Sequence, residues 1–166
     1  MKYFLLFISF SLCFLTVPML AETKFIVGWA EKVKIFPGNF TVKARIDTGA
    51  KTSSINTPFY ETFEKDGKTW VRFDFMDKKG KKKTIEKEVL RTSKIKRKGM
   101  KSEERPVVKL EICLGNVYKE SEVNLVDRSN FNYQILIGRS YLENDFLVDS
   151  SSRFTKKPNC KIPGKK

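Results

Sequence analysis

Asp47 lies in Ala44-Arg45-Ile46-Asp47-Thr48-Gly49-Ala50, a stretch that sets a carboxylate at the end of an alternating segment and follows it with a glycine. Val42, Ala44 and Ile46 fall on one face of a period-two pattern, with Lys43 and Arg45 on the other, so a strand is expected to deliver Asp47 to a bend. Gly49 can take a positive φ there and, having no side chain, lets another backbone or a substrate come close. A carboxylate in such a loop can work as a general acid or base if a second carboxylate shares its proton. The plain alternative for four residues of this kind is a solvated turn aspartate.

The other common hydrolytic chemistries lack their residues. The chain has no histidine, which removes Ser-His-Asp and Cys-His triads and the His-Glu-x-x-His metal helix. Beyond the first 21 residues only Cys113 and Cys160 are available, too few for a cysteine cage. A carboxylate-only site would suit calcium or magnesium better than zinc. No G-x-x-x-x-G-K loop is present to cradle a nucleotide. Neither a metal nor a cofactor is expected.

Asp47-Thr48-Gly49-Ala50 resembles the active-site loop of aspartic peptidases, and one copy in a short chain looks like the retropepsin type. The apolar strand Ile135-Leu136-Ile137 running into Gly138-Arg139 and then Ser140-Tyr141-Leu142 is similar to the strand and helix that close the retropepsin core. With Leu125-Val126-Asp127-Arg128-Ser129 before it and Phe146-Leu147-Val148-Asp149 after it, the pattern resembles a bacterial retropepsin-like family once labelled ATP-dependent zinc proteases and associated with ATP-grasp ligases. The likeness runs from about Phe25 to Asp149.

That resemblance implies an all-β acid-protease barrel with one short C-terminal helix, and an aspartic endopeptidase with Asp47 catalytic. A single Asp-Thr-Gly supplies half of a dyad, so the chemistry requires a symmetric homodimer. Thr48, Gly49 and Ala50 would support the loop, with Thr48 bonding across the two-fold axis and the Gly49 backbone offered to a peptide or protein substrate. Gly138 and Arg139 form the structural motif beside it. In retropepsins that arginine pairs with an acid just after the loop, but Ala50-Lys51-Thr52-Ser53 has none, so Asp127 or Asp149 is the expected partner. Asp149 is also a rival catalytic acid, against a reading as a turn-capping aspartate. The ligase association adds a third activity, cleavage of γ-glutamyl or other unusual peptide links.

The positioning elements are short strands with punctuating turns. Phe25–Trp29 and Lys32–Ile35 read as two strands, Asn39–Asp47 as the strand into the acidic loop, and Lys51–Asn56 as a polar, partly β-branched stretch ended by Thr57-Pro58. Trp70–Met76, with Val71, Phe73 and Phe75 on one face, turns at Asp77–Gly80 and returns through Lys81–Leu90. By the resemblance this hairpin is a candidate flap over substrate; otherwise it is an ordinary surface hairpin. A second hairpin is expected with Val108, Leu110, Ile112 and Leu114 on one face, Gly115-Asn116 as its turn and Val117–Val126 returning. Arg139–Asn144 is the single helical segment.

Length allows one domain, residues 22–150, between a signal segment (1–21) and a basic flexible tail (151–166). Met1–Ala21 carries a lysine, an apolar run and a small residue ahead of Glu22, the parts of a secretory signal. Cleavage after Ala21 is favoured over an uncleaved membrane anchor, giving a periplasmic or secreted protein. An oxidising compartment would permit a Cys113–Cys160 bridge. Because the tail looks loosely held, Cys113 is read first as a buried small hydrophobe. The net charge is +14, concentrated between Lys78 and Lys101. A solvated lysine-rich hairpin explains it, and the alternative is a catalytically inactive barrel that binds an anionic envelope polymer or membrane surface. No aromatics interleave with those charges, and nucleic acid is not expected as a partner.

Overall fold

The computed structural model describes residues 23–77, 80–95 and 102–163. Eight strands form one sheet in the order β11-β1-β2-β10-β3-β9-β8-β7, and β1 also pairs with β8, so β1, β2, β10, β3, β9 and β8 close into a six-stranded barrel. These strands are β1 (Phe25–Phe36), β2 (Phe40–Ile46), β3 (Ser53–Asn56), β7 (Arg91–Ile95), β8 (Glu103–Leu114), β9 (Val117–Val126), β10 (Ile135–Ile137) and β11 (Phe146–Arg153). A second sheet is built from β4 (Tyr60–Lys65), β5 (Lys68–Met76) and β6 (Lys82–Glu88), with β5 central. The one helix among the described residues, α1 (Arg139–Leu142), is short as expected. The expected all-β retropepsin-like barrel is therefore the observed architecture.

Alternation governs β2 as the sequence indicates: Phe40, Val42, Ala44 and Ile46 are buried and the residues between them exposed. The β8–β9 hairpin likewise turns at Gly115-Asn116, with Leu114 opposite Val117 and Gly115 at φ 59°. Val71, Phe73, Phe75 and Ile85 of the second sheet join the barrel residues in one core, where the Phe40 and Phe75 rings meet edge to face at 5.0 Å.

Two expected strands are one. β1 runs unbroken through Trp29–Lys32, and Glu31, which reads as an interruption, is fully buried within it. Its carboxylate accepts hydrogen bonds from the Gly28 amide (2.8 Å), the Thr155 amide (3.0 Å) and hydroxyl (2.6 Å), and the Lys156 amide (3.1 Å). A buried carboxylate is tolerated only with such partners. Residues 151–156, expected in a flexible tail, are thereby tied to the barrel: β11 continues to Arg153 and the chain then crosses Glu31. Glu31→Ala should lower stability by roughly 3 kcal/mol, since several buried donors lose their acceptor at once. Urea unfolding measures the loss, and faster tryptic cleavage at Lys156 should accompany it.

The tail is also bridged. Cys113 and Cys160 form a disulfide with Cα atoms 6.0 Å apart, which corrects the preference for a free, buried Cys113. β4 is a further addition. Five of its six residues are exposed, so no apolar alternation announces it.

Where the β5–β6 hairpin leaves its turn, at Lys81, it lies away from the acidic loop. Lys81 Nζ donates to the Gly38 carbonyl (2.7 Å) and lies over the Phe40 ring, at the start of β2. Asp47 follows the other end of that strand, roughly 20 Å away by strand rise. The expected flap is a packed hairpin, because its apolar face is needed by the core. Lys78, Lys79 and residues 96–101 of the basic stretch lie outside the described residues, as does the signal segment. Among the described residues no helix is long and apolar enough to cross a membrane.

Candidate functional site

β2 delivers Asp47 into a tight loop. The Asp47 amide donates to the Ile137 carbonyl (2.9 Å), which extends the parallel β2–β10 pairing one residue past Ile46. Asp47 Oδ1 then accepts the amides of Gly49 (2.9 Å) and Ala50 (3.3 Å), so the carboxylate closes its own turn. Oδ2 accepts no hydrogen bond from a described residue and remains available to solvent or ligand. Gly49 is not in the left-handed region, contrary to the conformational reason expected for it. Its function is steric: a Cβ there would stand 3.1 Å from Asp47 Oδ1.

β10 lies between β2 and β3, and the chain leaving it at Gly138 passes beneath the loop. A Cβ on Gly138 would come within 2.7 Å of the Lys51 carbonyl oxygen and 2.8 Å of the Thr52 carbonyl carbon. Only glycine admits that approach. The Gly138 amide donates to Ser53 Oγ (3.1 Å), the Arg139 amide to the Ala50 carbonyl (2.9 Å) and the Ser140 amide to the Lys51 carbonyl (3.0 Å). Arg139 Nη1 donates to the carbonyls of Thr48 (2.8 Å) and Gly49 (2.9 Å). The predicted residues Asp47, Thr48, Gly49, Ala50, Gly138 and Arg139 are therefore one assembly.

The partner expected for Arg139 is corrected. Neither Asp127 nor Asp149 reaches it; two loop carbonyls take the place of an acid. Asp127 Oδ1 accepts the Ser129 amide (2.9 Å), and Asp149 is bonded by the Ser151 amide (2.8 Å) and the hydroxyls of Ser151 and Ser152 (2.6 Å each). These serines hold both carboxyl groups below the usual carboxylate range. Asp149 also sits two strands from Asp47 in the sheet, which removes it as a partner for Asp47 within one chain.

Tyr141 fixes α1 from below. Its buried hydroxyl lies 3.2 Å from the Ile112 carbonyl and 3.1 Å from that of Val117, and burial pushes its ionisation upward. Since α1 is placed independently, Arg139 acts on the loop alone. Arg139→Leu should leave thermal unfolding within a few degrees while speeding amide hydrogen exchange at Gly49 and Ala50 at least tenfold, through loss of charge-assisted bonds. An unchanged exchange rate would remove Arg139 as the brace.

Beside the loop opens a cleft of about 820 Å³ that begins at Ala50, Lys51 and Thr52. Lys51, Arg91, Arg105 and Arg128, against a single Glu122, give its walls a net positive charge. Arg91 is paired with Glu122 (2.6 Å) and Arg105 with Glu103 (2.6 Å). Arg128 takes no carboxylate partner among the described residues. Nothing local in the sequence marks these arginines, because they come from β7, β8 and the loop after β9 and share no pattern.

A barrel with one braced Asp-Thr-Gly loop per chain defines a single-lobed acid-protease fold. The chain belongs to the RimB-like family, described as the retropepsin-like aspartic endopeptidase RimB, whose sequence profile matches residues 26–159. It is 36% identical over 140 residues to a probable alpha-L-glutamate ligase of Shewanella pealeana, covering 81% of this chain and 30% of that protein. A probable alpha-L-glutamate ligase of Desulfotalea psychrophila is 31% identical over 111 residues, covering 65% of this chain and 24% of that one. The chain thus spans less than a third of these relatives. The crystal structure of a Legionella pneumophila protein of unknown function superposes with a TM-score of 0.68 at 34% identity, covering 80% of this chain and 98% of that one.

Proposed function

We propose that the chain is an exported aspartic endopeptidase that works as a homodimer and cuts glutamate-rich peptides. The observation that carries this reading is the Asp47 loop, held by Gly138 and Arg139 with one carboxylate oxygen left open, in a chain of the RimB-like family. With two such loops facing each other, the ionised carboxylate takes a proton from a water as its oxygen bonds to the peptide carbon, and the protonated one gives its proton to the carbonyl oxygen. Collapse of that tetrahedral diol breaks the C–N bond: the proton taken from water goes to the leaving amine, and a diol hydroxyl returns its proton to the other carboxylate, restoring the dyad.

β1 runs antiparallel to β2 with Ala30 opposite Arg45, so its first residues lie at the Asp47 end. Phe25, Ile26 and the neighbouring Leu147 are exposed there, an apolar patch suited to a second copy. The Cys113–Cys160 bridge suits an oxidising compartment. The substrate class follows from the relatives, in which a region like this chain belongs to a probable glutamate ligase, together with the cationic cleft beside the loop. The same cleft favours a second reading, a non-catalytic module that holds an anionic polymer. Sedimentation of the processed chain with hydrolysis of a glutamate peptide separates the two. A dimer that cleaves supports the enzyme; a strict monomer that binds the peptide in a salt-sensitive way without cleaving it supports the module.

A further inference from the structure

Arg128 differs from Arg91 and Arg105 in that no carboxylate among the described residues is in ion-pair contact with it. Its backbone amide is fixed by Asn56 Oδ1 (2.6 Å), its Nε donates to the Tyr133 carbonyl (3.2 Å) and its Nη1 to Ser54 Oγ (3.3 Å). The guanidinium also lies 4.6 Å over the Phe131 ring. These contacts orient the fork without neutralising it, and they leave further N–H donors without an acceptor among the described residues. Burial holds the group below the usual arginine range, with Arg105 and Arg45 acting the same way and Asp47 opposing them. An arginine keeps its charge in such surroundings, so the position holds a costly, half-desolvated cation within electrostatic reach of Asp47.

We propose that Arg128 is the specificity-determining residue of the cleft, receiving a substrate carboxylate and so placing the neighbouring peptide bond at Asp47. The assignment rests on the endopeptidase reading for its consequence, but the binding step stands apart from it. Arg91 and Arg105 are already bonded to glutamates, and Lys51 is exposed on a flexible stem, so Arg128 offers the preorganised fork. A carboxylate that docks there replaces water on a group the fold has already positioned.

The test uses the full chain carrying Asp47→Asn, so that peptides bind without being cut, with hexaglutamate, hexaglutamine and C-terminally amidated hexaglutamate as probes. Calorimetry should show hexaglutamate preferred over hexaglutamine, and Arg128→Gln should weaken hexaglutamate alone by about ten- to a hundredfold. Retention by the amidated peptide assigns the contact to a side-chain carboxylate; loss assigns it to the chain terminus. With Asp47 intact, Arg128→Gln should raise KM for the glutamate peptide with little change in kcat. A structural role would weaken both peptides equally, and that result, or an unchanged preference, overturns the proposal. If Arg128→Gln does not fold, Arg128→Lys serves: it keeps the charge but not the fork, and it should lose part of the preference, whereas full retention overturns the assignment. Should the unmutated chain cleave nothing while hexaglutamate binding still depends on Arg128, the endopeptidase reading fails and this assignment stands.

Discussion

Asp47→Asn should reduce peptide hydrolysis by at least about a thousandfold, toward the upper range for loss of a general acid–base group, with folding unchanged. Asparagine keeps the oxygen that accepts the Gly49 and Ala50 amides, so the loop geometry survives while the titrating group is lost. The proposed homodimer allows a sharper form of the same measurement. When equal amounts of unmutated and Asp47→Asn chains exchange subunits, only about a quarter of the dimers carry two aspartates, and activity should fall to that fraction. A fall to one half would mean that each chain works alone. Full activity in the homogeneous variant would remove Asp47 from the chemistry.

What could be read from the sequence is what local pattern determines. The alternation of β2 places Asp47 at a strand end, and Gly115-Asn116 between two apolar runs places the β8–β9 hairpin, because side-chain period and turn chemistry act over a few residues. What could not be read is settled by residues far apart. Arg139 is answered by carbonyls 91 and 90 positions away, which no search for a nearby acid could find. Glu31 reads as a break in a strand and is buried in one because Thr155, 124 positions on, supplies its donors. β4 has no buried face to show a period, and it forms because β5 offers it an edge. Arg128 follows an apolar strand like an ordinary loop cation, and what sets it apart is that the cleft's Glu122 is taken by Arg91 and no carboxylate among the described residues pairs with Arg128.

These distant contacts divide the barrel by task. β1 and β2 pair with Ala30 against Arg45, and β1 and β8 with Lys34 against Cys113, so the disulfide lies toward the start of β2 and the Asp47 loop at its end. Loop bracing and tail anchoring are then separable, one carried by Gly138 and Arg139 and the other by Glu31 and Cys160.

The Cys113–Cys160 bridge spans 47 positions, and a cross-link of that length restricts the unfolded chain enough to stabilise the fold by about 4 kcal/mol in the loop-closure account. Cys160→Ser, or a thiol reductant, should therefore lower the thermal midpoint by on the order of 10 °C for a domain of this size. Well below the new midpoint, kcat/KM should stay within about twofold of the bridged protein, since none of the groups bonded to Asp47 belongs to the tail. A large loss of activity at a temperature where the reduced protein is still folded would show that the tail's attachment governs the loop after all, through β1 and its pairing with β2. A shift of only a degree or two would instead mean that Glu31 holds the tail without help, and that the bridge closes a chain already in place.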